Sequence, residues 1–208
     1  YGDHRDLHSF PTRRSSDLRR IGITGGIGSG KSVVSRLLRI MGYSVYDTDS
    51  EAKRLMESSL EVVQKLSECF GRDIYHNGRL NRGLLSSRVF GKSDKIVLLN
   101  SIVHPVVRFD FYRWSESLNE EICFVESAIL YESRFDELVD EVWTVTAPEE
   151  LRISRVRQRS GLTEEEIKKR MAAQLSEEEK QRRAAHIIWN DGNVSVIHRV
   201  LSLLKSLE

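Results

Sequence analysis

Residues 25–32 read Gly-Gly-Ile-Gly-Ser-Gly-Lys-Ser and hold the densest chemistry in the chain. They fit G-x-x-x-x-G-K-[ST], a loop whose successive backbone N–H groups face one anion at the start of a helix. Glycine tolerates the dihedrals that such a cradle needs. The pattern assigns Gly26, Ile27, Gly28, Ser29, Gly30, Lys31, Ser32 and Val33 to a polyphosphate site. Lys31 is spaced to reach the β- and γ-phosphates of a nucleoside triphosphate, and Ser32 to hold Mg²⁺. A dinucleotide site is the rival for glycine-rich loops, but Gly26, Gly28 and Gly30 do not give G-x-G-x-x-G.

A triphosphate needs a destination. Asp49 follows a short apolar run, where a carboxylate can take a proton from an attacking hydroxyl or bind Mg²⁺ through water. Asp-Thr-Asp at 47–49 equally reads as the cap of a helix. Glu126 ends another apolar run, Ile122 to Val125, in the place of a metal-facing strand carboxylate. Arg152, Arg155 and Arg159 share one predicted helical face, with Arg157 off it. Such cations stabilise charge on a transferring phosphoryl group, or pair with the neighbouring glutamates as a solvated surface. Arg82 follows a turn, and His104 precedes Pro105, which disfavours helical geometry and predicts a break between two helices.

The elements that must position these residues are legible as periodicity. Residues 20–24 and 43–46 read as strands, as do 122–125, 142–146 and 187–190. Val33, Val34, Leu37, Leu38 and Met41 mark one face of a helix closed by Gly42. Residues 50–118 are mostly helical, with turns at 76–78 and Gly91. The charged segment 149–185 contains two capping boxes, Thr163 with Glu166 and Ser176 with Glu179. Residues 194–207 read as a closing helix. Strands alternating with helices predict an α/β fold with a parallel sheet covered on both faces.

The chain has 208 residues, 32 basic against 31 acidic, so no global field draws it to nucleic acid or anionic lipid. Cys69 and Cys123 lie far apart, which predicts two free thiols and neither a zinc site nor a disulfide framework. No apolar run approaches the ~20 residues of a membrane span, and a cytoplasmic protein is expected. Residues 1–18 read as a flexible leader outside the fold. Their stretch SFPTRRSSDL resembles translated sequencing-adapter sequence.

The phosphate loop followed by Asp47-Thr48-Asp49 resembles dephospho-coenzyme A kinases. The resemblance continues in order through residues 78–82 (GRLNR), 102–105 (IVHP), 126–132 (ESAILYE), Arg155 with Arg159, 170–174, and Trp189-Asn190. It implies a P-loop three-layer α/β/α kinase, residues 19–208, whose core is 19–49, 120–148 and 186–208. It further implies a helical acceptor-binding insertion near 50–119 and a helical lid near 149–185. The implied reaction is transfer from ATP, with Mg²⁺, to the ribose 3′-hydroxyl of dephospho-coenzyme A. In that resemblance Asp49 is the catalytic carboxylate, with Lys31, Arg155 and Arg159 acting on the phosphoryl group. Arg82, His104 and Glu126 join Asp49 at the acceptor, Arg170 belongs to the lid, and Asn190 lies near the adenine. A monomer is expected, with no nucleic-acid or membrane partner. The sequence departs from the family pattern at Ala128, commonly proline, at Tyr131, commonly phenylalanine, and at Val33, commonly threonine. A nucleoside or nucleotide monophosphate kinase on the same scaffold and a nucleotide-hydrolysing switch or binding module are the alternatives.

Overall fold

The computed structural model describes residues 18–207. Residues 1–17 of the expected leader lie outside the described residues, and Leu18 is already buried. Five parallel strands form the main sheet: β1 (Arg19–Thr24), β2 (Ser44–Asp47), β5 (Ile122–Glu126), β6 (Glu141–Thr146) and β7 (His186–Trp189), in the order β2-β5-β1-β6-β7. Each matches a predicted strand to within a residue or two. Side chains alternate between the faces. Ile21, Ile23, Phe124, Trp143 and Val145 point into one core, under α1 (Lys31–Ile40) and α9 (Val196–Lys205). Val125 and Val142 point into the other, which extends over α2 (Thr48–Ser58), α3 (Leu60–Phe70), α4 (Arg82–Val89) and α5 (Ser93–Glu116). The charged segment forms α6 (Glu149–Ser160), α7 (Glu164–Ala172) and α8 (Glu177–Arg183). Ile153, Val156 and Ile167 give α6 and α7 a small core of their own. No described helix is long and apolar enough to cross a membrane.

Three local expectations need correction, and the turn expected at 76–78 is present with a short strand on each side. Val33 and Met41 are exposed, so the buried stripe of α1 is narrower than the run of apolar residues suggests; Val34 and Leu38 carry it. The turn at 76–78 is a β-hairpin, β3 (Tyr75–His76) with β4 (Arg79–Leu80). Its two turn residues, Asn77 and Gly78, both have positive φ, as a two-residue hairpin of this hand requires. Pro105 does not separate two helices: it lies inside the 24-residue α5. The missing hydrogen bond there is outweighed by burial of Ile102, Val103, Val107 and Phe111 on both sides of it. Of the two capping boxes only the first is complete. Ser176 accepts from the Glu179 N–H, but the Glu179 carboxylate turns to Arg182 instead.

Candidate active site

A parallel sheet places its functional loops at the carboxyl ends of its strands. The loop after β1 and Asp47 and Glu126, the last residues of β2 and β5, meet at that edge. Asp47 and Glu126 are register partners across the β2–β5 pair, and Glu126 also pairs with Ile23 of β1. The Thr48 hydroxyl donates to the Glu126 carbonyl at 3.0 Å, which ties the start of α2 to the end of β5.

The two aspartates divide the work that the sequence left open. Asp47 is the N-cap of α2. Its Oδ1 accepts the N–H groups of Asp49 (3.0 Å) and Ser50 (3.2 Å), and its Oδ2 the Ser50 hydroxyl. Asp49, two residues on and within the first turn of α2, is exposed and is not needed for capping.

Lys31 opens α1 and folds back over its own loop, its Nζ donating to the carbonyls of Gly25 (2.7 Å) and Gly26 (3.3 Å). Burial lowers its pKa to about 8, against the opposing pull of Glu126 and, more weakly, Asp49 and Glu177; the Lys180 ammonium adds to the lowering. The field around Lys31 thus records both expected carboxylates as its neighbours. Ser32 is exposed beside it, and Val33 follows on the open side of the helix.

The loop is also gripped from outside. Asn190, just beyond β7, donates through Nδ2 to the Ser29 carbonyl at 2.9 Å. Gly30 has φ +99°, and a Cβ there would stand 2.0 Å from that amide nitrogen. Arg155 donates to the Asn190 carbonyl at 2.9 Å, while its buried Nη1 has no partner. Arg159, one turn on, is exposed, as is Arg170. Arg152 departs from the expected cationic face: it is buried beneath the loop, its Nε donating to the Ile27 carbonyl at 3.1 Å and its Nη1 lying 3.4 Å from Glu177.

Arg82 and His104 are on α4 and α5 of the helical layer. Arg82 is exposed and paired with Glu57 of α2 at 3.1 Å. His104 is half-buried, and desolvation, reinforced by Arg108 one turn later, lowers its pKa. Lys180, assigned no role by the sequence, is fully buried in α8 and donates to the Ala128 carbonyl at 3.0 Å, near Glu132 at 3.8 Å. That bond holds the backbone at the position where the expected proline is absent. Gln174 accepts the Ile27 N–H at 3.1 Å, so this loop amide is already engaged. Neither contact had a signal in the sequence beyond the 170–174 resemblance, because the partners are far apart along the chain.

The family model described as dephospho-CoA kinase matches residues 19–195. A dephospho-CoA kinase of Bacteroides fragilis is 41% identical over 189 residues, covering 90% of this chain and 92% of that one. A solved structure from Thermus thermophilus is 36% identical, with TM-score 0.80, over 91% of this chain and 97% of its own. A dephospho-CoA kinase structure from Campylobacter jejuni, 23% identical, shares the fold with TM-score 0.69, over 91% and 97%. With its phosphate loop, strand-end carboxylates and five-stranded parallel sheet in place, the chain belongs to the dephospho-CoA kinase family.

Proposed function

We propose that the protein transfers the γ-phosphoryl group of ATP to the ribose 3′-hydroxyl of dephospho-coenzyme A, giving coenzyme A and ADP, the last step of coenzyme A synthesis. The observation that carries this reading is the convergence of Lys31, Asp49 and Glu126 at one sheet edge in a chain of this family.

The loop amides and Lys31 bind the triphosphate. Lys31 must then exchange the carbonyls of Gly25 and Gly26 for phosphate oxygens. Asp49 stands free of the cap to orient and deprotonate the acceptor hydroxyl. The donor set suits Mg²⁺: exposed hydroxyl and carboxylate oxygens are hard ligands. The described residues contain no cluster of three His, Cys, Asp or Glu that would hold an ion alone, so phosphate oxygens would complete its shell. Ser32 and, through water, Asp49 or Glu126 would hold Mg²⁺ bound with the nucleotide, and the ion would supply positive charge to the transferring phosphoryl group. Residues 149–185 form the lid, with Arg155 and Arg159 turned to the nucleotide and Arg170 beside them. Closure of that segment excludes water, the competing acceptor. Asn190 lies on the adenine side. The helical segment 50–119 carries the acceptor, with Arg82 and His104 as its contacts.

The test is ADP release with dephospho-coenzyme A, AMP, nucleosides or buffer alone. ADP with the first only supports the reading. Turnover with AMP or nucleosides supports a nucleotide kinase, and equal ADP without acceptor a hydrolysing switch.

A further inference from the structure

Arg152 and Glu177 of the lid segment lie close against Gly26 and Gly28, and the lid's hydrogen bonds to the phosphate loop converge on Ile27. Ile27 is held by three independent contacts from residues 149–185. Its side chain packs into the small core of Ile153, Val156 and Ile167. Its carbonyl accepts from Arg152 Nε at 3.1 Å, and its N–H donates to Gln174 Oε1 at 3.1 Å. Arg152 is itself fixed by Glu177, whose other oxygen takes the Thr146 hydroxyl at 2.9 Å. The neighbour of Gln174 completes the attachment: the Leu175 N–H donates to Glu132 Oε1 at 2.6 Å, in the stretch that follows β5.

We infer that Gln174 is a positioning residue for the donor nucleotide. The turn between α7 and α8 uses its amide oxygen to set the Ile27 peptide, and through it the anion-binding amides of residues 28–32. The N–H and the carbonyl of Ile27, which belong to the peptide planes on either side of its Cα, are both taken by lid side chains. The Ser29 N–H and Lys31 Nζ hold the Gly26 carbonyl from within the loop, so lid and loop fix this backbone together. In a glycine-rich loop this matters, because Gly28 and Gly30 leave the backbone many conformations to lose on binding. A peptide fixed in advance removes part of that loss from the binding step. The coupling runs both ways: phosphate binding that favours the held loop must favour the docked turn. Residue 174 is thereby a determinant of ATP affinity without touching ATP.

The inference rests on the ATP-kinase reading, and the test separates the two. Dissociation constants for ATP and for dephospho-coenzyme A are measured by calorimetry on the wild type, Q174M and Q174N, with Tm and the ¹⁵N–¹H resonance of Ile27 for each. Methionine keeps the length and loses the acceptor; asparagine keeps the acceptor and is one methylene too short. Both variants are expected to bind ATP about tenfold more weakly, with dephospho-coenzyme A affinity and Tm unchanged and the Ile27 amide resonance displaced. Wild-type ATP affinity in a folded variant overturns the inference, as does equal weakening of both ligands. Should Q174M not fold, Q174N carries the same expectation. A wild type that does not bind ATP refutes the kinase reading instead.

Discussion

Burial by its own loop holds the Lys31 ammonium at a pKa of about 8 in the unliganded protein. As pH rises through that value the loop loses its one cation at the triphosphate, so kcat/KM for ATP is expected to fall with an apparent pKa near 8. Bound triphosphate favours the charged lysine, so the fall in kcat itself is expected at higher pH. Stability moves the other way. The unfolded chain keeps this proton up to about 10.5, the folded chain only to about 8, so within that window the unfolded state binds more protons and this group's contribution rises with pH. Parallel pH profiles of kcat/KM and of denaturant midpoints check both signs. The paired aspartates give a second separation. Asp49→Asn is expected to retain ATP binding and Tm while kcat falls at least about 10²-fold, within the usual range for a general base. Asp47→Ala is expected to cost about 1 kcal/mol of stability through loss of the α2 cap. An Asp49→Asn enzyme with unchanged kcat removes the base role.

Where elements meet, the phosphate loop leaves no room for a side chain at Gly30 against Asn190, just beyond β7. Gly30→Ala forces a side chain onto the Asn190 amide at a residue with φ +99°. It is expected to weaken ATP at least tenfold and to destabilise the fold by about 1–2 kcal/mol, read by calorimetry and urea melts. The elements differ in how much of this the sequence discloses. Strands such as Ile122–Glu126 are short apolar runs with both faces buried, so composition marks them directly. The site's loop and carboxylates were legible for the same reason: they follow those runs at the sheet's carboxyl edge. Pro105 misled because a local preference against helix yields to the buried stripe on either side of it. Gln174, Arg152 and Lys180 were illegible as contacts, since each finds its partner across the fold: Ile27, Ile27 and Ala128.

The whole molecule depends on one sheet with a core on each face. Trp143 is fully buried at the centre of the core under α1 and α9, edge-on to Phe124 at 5.5 Å and to His186 at 6.2 Å. Trp143→Ala is expected to cost about 3–5 kcal/mol. Domains of this kind have about 5–15 kcal/mol in total, so circular dichroism melts of this variant should show a large loss of Tm. The strand order sets a further condition. β1 lies between β5 and β6, and its first partners are Ile122 and Glu141. A ribosome therefore releases the phosphate loop long before anything exists to pair with the strand that carries it. The helices of 48–116 can consolidate first from local contacts, and the central strand must wait for the second half of the chain. In refolding followed by pulsed hydrogen exchange, amides of α2 and α5 should gain protection before those of residues 20–24. The nucleotide site is then among the last parts of the protein to come into being.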